Sequence, residues 1–144
     1  MGVGSLELGV GNLINFFMAT IRSFRELIVY QKAYKLAMEI FEISKNFPKE
    51  EKYSLTDQIR RSSRSIPTNI SEAWAKKRYI KSFVSKLSDS LGEEHETEVW
   101  LDFSHDSKYI SKEDYDKLLK EYDEVRKILI SMISNPEKFY RTDS

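Results

Sequence analysis

The 144-residue chain holds 23 basic and 23 acidic residues, no cysteine, five glycines and three prolines, with 40% hydrophobic and 32% charged residues. The missing cysteine excludes disulfide frameworks, thiolate metal sites and cysteine nucleophiles, and fits a reducing, cytoplasmic setting. So few Gly and Pro in a chain long enough for one core favour long amphipathic helices over turn-rich sheets.

Residues 2–17 read GVGSLELGVGNLINFF. Glu7 interrupts what would be the apolar core of a signal peptide, no basic region precedes it, and the stretch is too short and Gly-broken to span a membrane. Met18 opens a more ordinary protein start, so residues 1–17 are expected to be a disordered leader or non-native extension, and 18–144 a single four-helix domain.

A first helix is predicted from about Glu26 to Asn46. Its stripe is Leu27, Tyr30, Tyr34, Ala37 and Phe41, broadened by Ala33, Leu36 and Ile40, and Phe47-Pro48 ends it. The second starts near Ser54, with Asp57 three residues on as a variant capping box, and lays Leu55, Ile59, Ser62, Ile66, Ile70 and Ala73 on one face. Pro67 lies inside that pattern and predicts a kink rather than a stop, with Ser65, Thr68 or Asn69 satisfying the freed carbonyl. The third runs from about Tyr79 to Phe103 with Ile80, Phe83, Leu87, Leu91, Glu94, Glu98 and Leu101 as its nominal stripe, oddly polar in its second half. The fourth is the cleanest: Tyr115, Leu118, Tyr122, Val125, Leu129 and Met132 alternate by three and four behind Ser111 as N-cap, and Asn135-Pro136 closes it. Short links between helices of this length give an all-α, up-and-down antiparallel four-helix bundle.

Charge is distributed unevenly along this frame. Between Gln58 and Lys86, Arg60, Arg61, Arg64, Lys76, Lys77, Arg78, Lys81 and Lys86 meet one acid, Glu72, whereas the stretch from Leu87 to Glu124 is strongly acidic. One basic and one acidic side follow, which serves either association with a polyanion or internal pairing.

The second helix, LTDQIRRSSRSIPTNISEA over 55–73, resembles the signature of the four-helix-bundle family whose founding members are encoded in intervening sequences of bacterial large-subunit ribosomal RNA genes. The likeness extends to FRELIVYQKAYKLA (24–37), FPKEEKYSLT (47–56) and ETEVWLDFSHDSKYISKEDY (96–115). Ala73-Trp74 stands where the family usually has glycine, and Leu91 precedes Gly92 where an acid is usual. The resemblance implies an all-helical protomer in a homopentamer with no established enzymatic activity. The family is also similar to accessory proteins of diversity-generating retroelements, basic pentameric bundles that engage nucleic acid and a reverse transcriptase.

Taking 100° per residue, Arg60, Arg61 and Arg64 fall about 100°, 200° and 140° round the helix from Ile59, all away from the core stripe. They suit phosphate contacts, bidentate and tracking a nucleic-acid backbone. The competing reading is salt bridging to Glu93 and Glu96 of the third helix. Lys76, Lys77, Arg78 and Lys81 form a second basic cluster around Tyr79, a candidate base-stacking aromatic or part of a solvated turn. Trp100 reads as core or subunit contact. No metal is expected, since a ferritin-like site needs two Glu-x-x-His pairs and the nearest match is Asp102-x-x-His105 alone. Neither histidine has the preceding arginine of one class of helical ribonuclease, and no phosphate-binding Gly loop exists. The expectation is a non-enzymatic oligomer without cofactor or small-molecule substrate, off the membrane, binding RNA or another nucleic acid through a basic flank. The alternative is a protein-interaction scaffold.

Overall fold

The four apolar periodicities become four helices in the computed structural model, which describes residues 21–139; the expectation for residues 1–17 lies outside the described residues. They are α1 (Ile28–Ser44), α2 (Leu55–Ala75), α3 (Ile80–Asp106) and α4 (Lys112–Ser134), with single 3-10 turns at Phe24–Glu26, Lys49–Glu51 and Pro136–Lys138. Each helix packs on the next and α1 closes on α4, so α1 stands diagonally across an up-and-down bundle from α3.

The helix ends follow local chemistry. Ser111 accepts the Asp114 N–H at 3.0 Å and caps α4 as expected. Ser54 does not cap α2. Its hydroxyl turns to Glu51, whose carboxylate also accepts the Leu55 N–H at 3.4 Å, so an acid from the preceding turn replaces the expected capping box. At the end of α3 the chain reverses through Lys108 at φ 65°, with the Tyr109 N–H reaching back to the Ser104 carbonyl at 2.9 Å. That left-handed residue is ordinarily glycine.

Helix α2 runs on through Pro67 without a break. The nearby side chains do not reach the Ser63 carbonyl that proline leaves without its amide. Ser65, Thr68 and Asn69 donate instead to the carbonyls of Arg61, Arg64 and Ser65, and Ser90 of α3 donates to Ile66 O at 2.9 Å. A screw of side-chain bonds thus reinforces both sides of the proline.

The expected stripes of α2 and α4 are buried, apart from Tyr115 at the start of α4, which is half-buried. Those of α1 and α3 are rotated. In α1 the inward residues are Val29, Ala33, Leu36, Ala37, Ile40 and Ser44, while Tyr30 and Phe41 are half-buried and Tyr34 is 53% exposed. In α3 the buried seam is Phe83, Leu87, Ser90, Glu94, Thr97, Leu101 and Ser104, a strict four-three alternation that leaves Ile80, Leu91 and Glu98 off-centre. Small hydroxyl residues hold α2 and α3 together, with the hydroxyls of Thr97 and Ser62 hydrogen-bonded at 2.8 Å between fully buried positions.

Glu94 stands in this seam with no exposed surface and no hydrogen-bond partner for either carboxyl oxygen among the described residues. Burial, then the neighbouring Glu98, pushes its carboxyl up to about 9, so it is protonated at neutral pH. Its folded value lies above the unfolded one, so its contribution is full below about 4.5 and is lost as pH rises toward 9. The loss is about 1.4 kcal/mol per unit at most. Glu94→Gln should therefore raise the urea midpoint at pH 8 and change it little at pH 5; equal shifts at both pH values would contradict a buried neutral carboxyl. Lys108→Gly should stabilise the fold by about 0.5–1 kcal/mol in the same assay by relieving the left-handed backbone.

Candidate nucleic-acid interface

The helix period divides the three arginines of α2 between two neighbours. Arg61, about 160° round from Ile59 on one side, meets α3, while Arg60 and Arg64, about 100° and 140° round on the other, meet α1. Arg61 Nη1 lies 3.2 Å from Glu93 Oε2, and its Nη2 pairs with Glu96. Burial pulls the guanidinium down, yet the hydrogen bonds and charges of these two acids hold it above its ordinary value. The salt-bridge reading therefore holds for Arg61.

Arg60 and Arg64 are placed differently. Neither forms an ion pair among the described residues. Arg60 Nε donates to Ser44 Oγ at 2.7 Å, and its guanidinium carbon sits 4.8 Å from the centre of the Phe41 ring. The Arg64 guanidinium stands over the same ring at 5.4 Å and the Lys45 ammonium at 4.9 Å. Three cations thus share one aromatic ring, whose quadrupole offsets part of their mutual repulsion. Lys45 also pairs with Glu42 at 3.1 Å. Arg60 spends one donor on Ser44, and its other N–H groups have no hydrogen-bond partner among the described residues.

The aromatic side of α1 that sequence periodicity assigns to the core thus supplies the support for the arginines. Phe41, Ser44 and Lys45 were not legible as site residues from periodicity. The available signal is that Val29, Ala33, Leu36, Ala37 and Ile40 make a complete aliphatic stripe beside the aromatic one, leaving Tyr30, Tyr34 and Phe41 surplus to the core.

The second basic cluster lies at the turn between α2 and α3, about 18 Å along α2 from Arg64. Lys76, Arg78 and Lys81 are exposed and form no ion pair among the described residues, and Tyr79 is 69% exposed. Lys77 lies against Trp74, its ammonium 3.8 Å from the ring centre, where burial and then the charge of Arg78 hold it below its ordinary value. Lys86 bridges to Glu72 at 2.9 Å and closes this end. Arg60 and Arg64 are therefore brought together, Arg61 is neutralised on the far side, and the turn cluster is a separate patch. Among the described residues no group of three or more His, Asp or Glu side chains is arranged to hold a metal, and no helix is long and apolar enough to cross a membrane.

A family model for the 23S rRNA-intervening sequence protein matches residues 25–131, from just before α1 into the last turn of α4. Among solved structures the chain is similar to a protein of unknown function from the S23 ribosomal protein family of Bacteroides thetaiotaomicron. The two share 34% identity over 74% of this chain and 96% of that one, with a TM-score of 0.68. No curated protein matches the chain.

Removing Arg61 leaves Glu93 and Glu96 facing one another. Arg61→Ala should cost about 0.5–1 kcal/mol in urea denaturation, shrinking at about 1 M salt. Arg60→Ala and Arg64→Ala, which uncover no paired acid, should lack that salt dependence.

Proposed function

The chain belongs to the 23S rRNA-intervening sequence protein family, and from that premise we propose a non-enzymatic helical-bundle protein that binds RNA through Arg60 and Arg64 and the cluster at the α2–α3 turn. The observation that carries this reading is the pair of guanidinium groups held over Phe41 without a carboxylate partner among the described residues. A cation already paired gains little from phosphate, because one anion merely exchanges for another. An unpaired guanidinium fixed by a ring and a serine meets a phosphate oxyanion with less ordering cost and keeps its bidentate edge. Lys76, Arg78 and Lys81 extend the positive surface along a backbone-length track.

A homo-oligomer, pentameric by the family resemblance, belongs to the same proposal. Val99 and Phe103 are 47% and 56% exposed on α3 beside the Trp100 ring, diagonally across the bundle from α1. An apolar patch there supports self-association that leaves the α1–α2 flank free. The scaffold reading draws on one specific observation, the neutralisation of Arg61 by Glu93 and Glu96, which removes one predicted phosphate ligand.

RNA affinity should fall steeply with salt as bound phosphates release counterions. Changing Arg60, Arg64, Lys76 and Arg78 together to alanine should lower the slope of log K against log salt by about 2–3. Arg61→Ala alone should leave that slope in place. Absence of binding at low ionic strength decides against RNA and for the scaffold, and RNA binding that survives the fourfold change decides against this surface.

A further inference from the structure

We propose that the groove between α1 and α2 is a subsite for one unstacked nucleobase of a single-stranded nucleic acid, with the flanking phosphate on Arg64 and Arg60. This rests on the nucleic-acid reading above and specifies the form of strand it takes.

The groove has a volume of about 360 Å³ and is lined by Phe24, Tyr30, Tyr34, Arg64, Thr68 and Ser71, among others, with no carboxylate among the described residues of its wall. That size suits a small planar ligand. Its aromatic residues form a stepped surface. Phe24 meets Tyr30 edge-on at 5.0 Å, Tyr30 meets Tyr34 at 5.9 Å and 33°, and Tyr34 remains 53% exposed. The neighbouring Phe41 is already approached by three cations, so among the described residues the stacking surface still open on this flank is that of Tyr34.

Apolar grooves admit many occupants, and charge decides here. Arg64 stands at the boundary, lining the groove and lying over Phe41 beside Arg60, so a ligand filling the groove places its neighbouring group on two guanidinium ions. An aromatic slot joined to an anion site matches a nucleotide, which joins a planar base to a phosphate. The hydroxyls of Thr68 and Ser71 donate at 2.8 Å to the carbonyls of Arg64 and Thr68, leaving their oxygens as acceptors toward the groove. In a duplex both faces of each base are stacked, so only a single strand, loop or end offers a base to this slot.

The test is fluorescence anisotropy on the full chain with a labelled single-stranded RNA of about 12 nucleotides, and with the same strand annealed to its complement. Tyr34→Ala should weaken single-strand binding about tenfold without changing the salt slope, Tyr34→Phe should retain it, and duplex binding should be indifferent to both. Arg64→Ala should lower the single-strand slope by about 0.7. Tyr34 is exposed, and a thermal melt by circular dichroism checks that its variants keep the fold. Single-strand binding indifferent to Tyr34→Ala overturns this inference and leaves the RNA reading standing. No binding of either form at low salt overturns both. Self-association without RNA that Tyr34→Ala abolishes assigns the groove to a second copy, and also overturns the inference.

Discussion

The close contact between α2 and α3 sets the rotation of α2, and the placement of every charged group on that helix follows from it. Ser62 faces Thr97, and Ser90 the Ile66 carbonyl, in a seam with no exposed surface, and small side chains let the helices approach. Two bonds fix the register, Thr97 to Ser62 and Ser90 to the Ile66 carbonyl beside Pro67. Hydroxyls are tolerated there because each is satisfied, and an unsatisfied one would be costly. With α2 held in this rotation, Arg61 turns to the acids of α3 and Arg60 and Arg64 to the aromatic side of α1.

Two buried polar groups, one on α3 and one on α4, are less well served. Glu94 and the Tyr122 hydroxyl are both fully buried and lack partners among the described residues. Beside them Arg126 is held by Glu98 and Asp123, and His95 Nε2 stands 3.8 Å from Glu94 Oε1, beyond hydrogen-bond reach. A neutral carboxyl is the state this environment permits, and apolar burial elsewhere in the core, from Ile40, Ile59, Ile66, Leu118 and Leu129, offsets the cost. The stability of the bundle is therefore tied to proton occupancy at one position.

Family membership and geometry bear on different parts of function. Membership associates the chain with the 23S rRNA-intervening sequence proteins. Geometry divides one run of basic residues into cations with a carboxylate partner and cations without one among the described residues. Phe41 has a central part in that division, because a ring that carries Arg60 and Arg64 preorganises them without neutralising them. An acid at the same place would hold the arginines as firmly but neutralise them.

Amino-acid order alone sets the four helices, the core faces of α2 and α4, the Ser111 cap and the concentration of positive charge in α2 and the turn after it, since these depend on spacings within one segment. Packing decides the rest. Helix α1 carries an aliphatic and an aromatic stripe side by side, and the partner helices, with limited room between them, select the smaller Ala33, Leu36 and Ile40 for the interior. Helix α3 buries Ser90 and Thr97 in preference to Leu91 because the close contact with α2 favours small residues over the more apolar one. Arg60 and Arg61 are adjacent in the chain and only about 100° apart on the helix. Which of them meets an acid and which an aromatic ring depends on the rotation of α2 against neighbours distant in sequence, so only the folded bundle separates them.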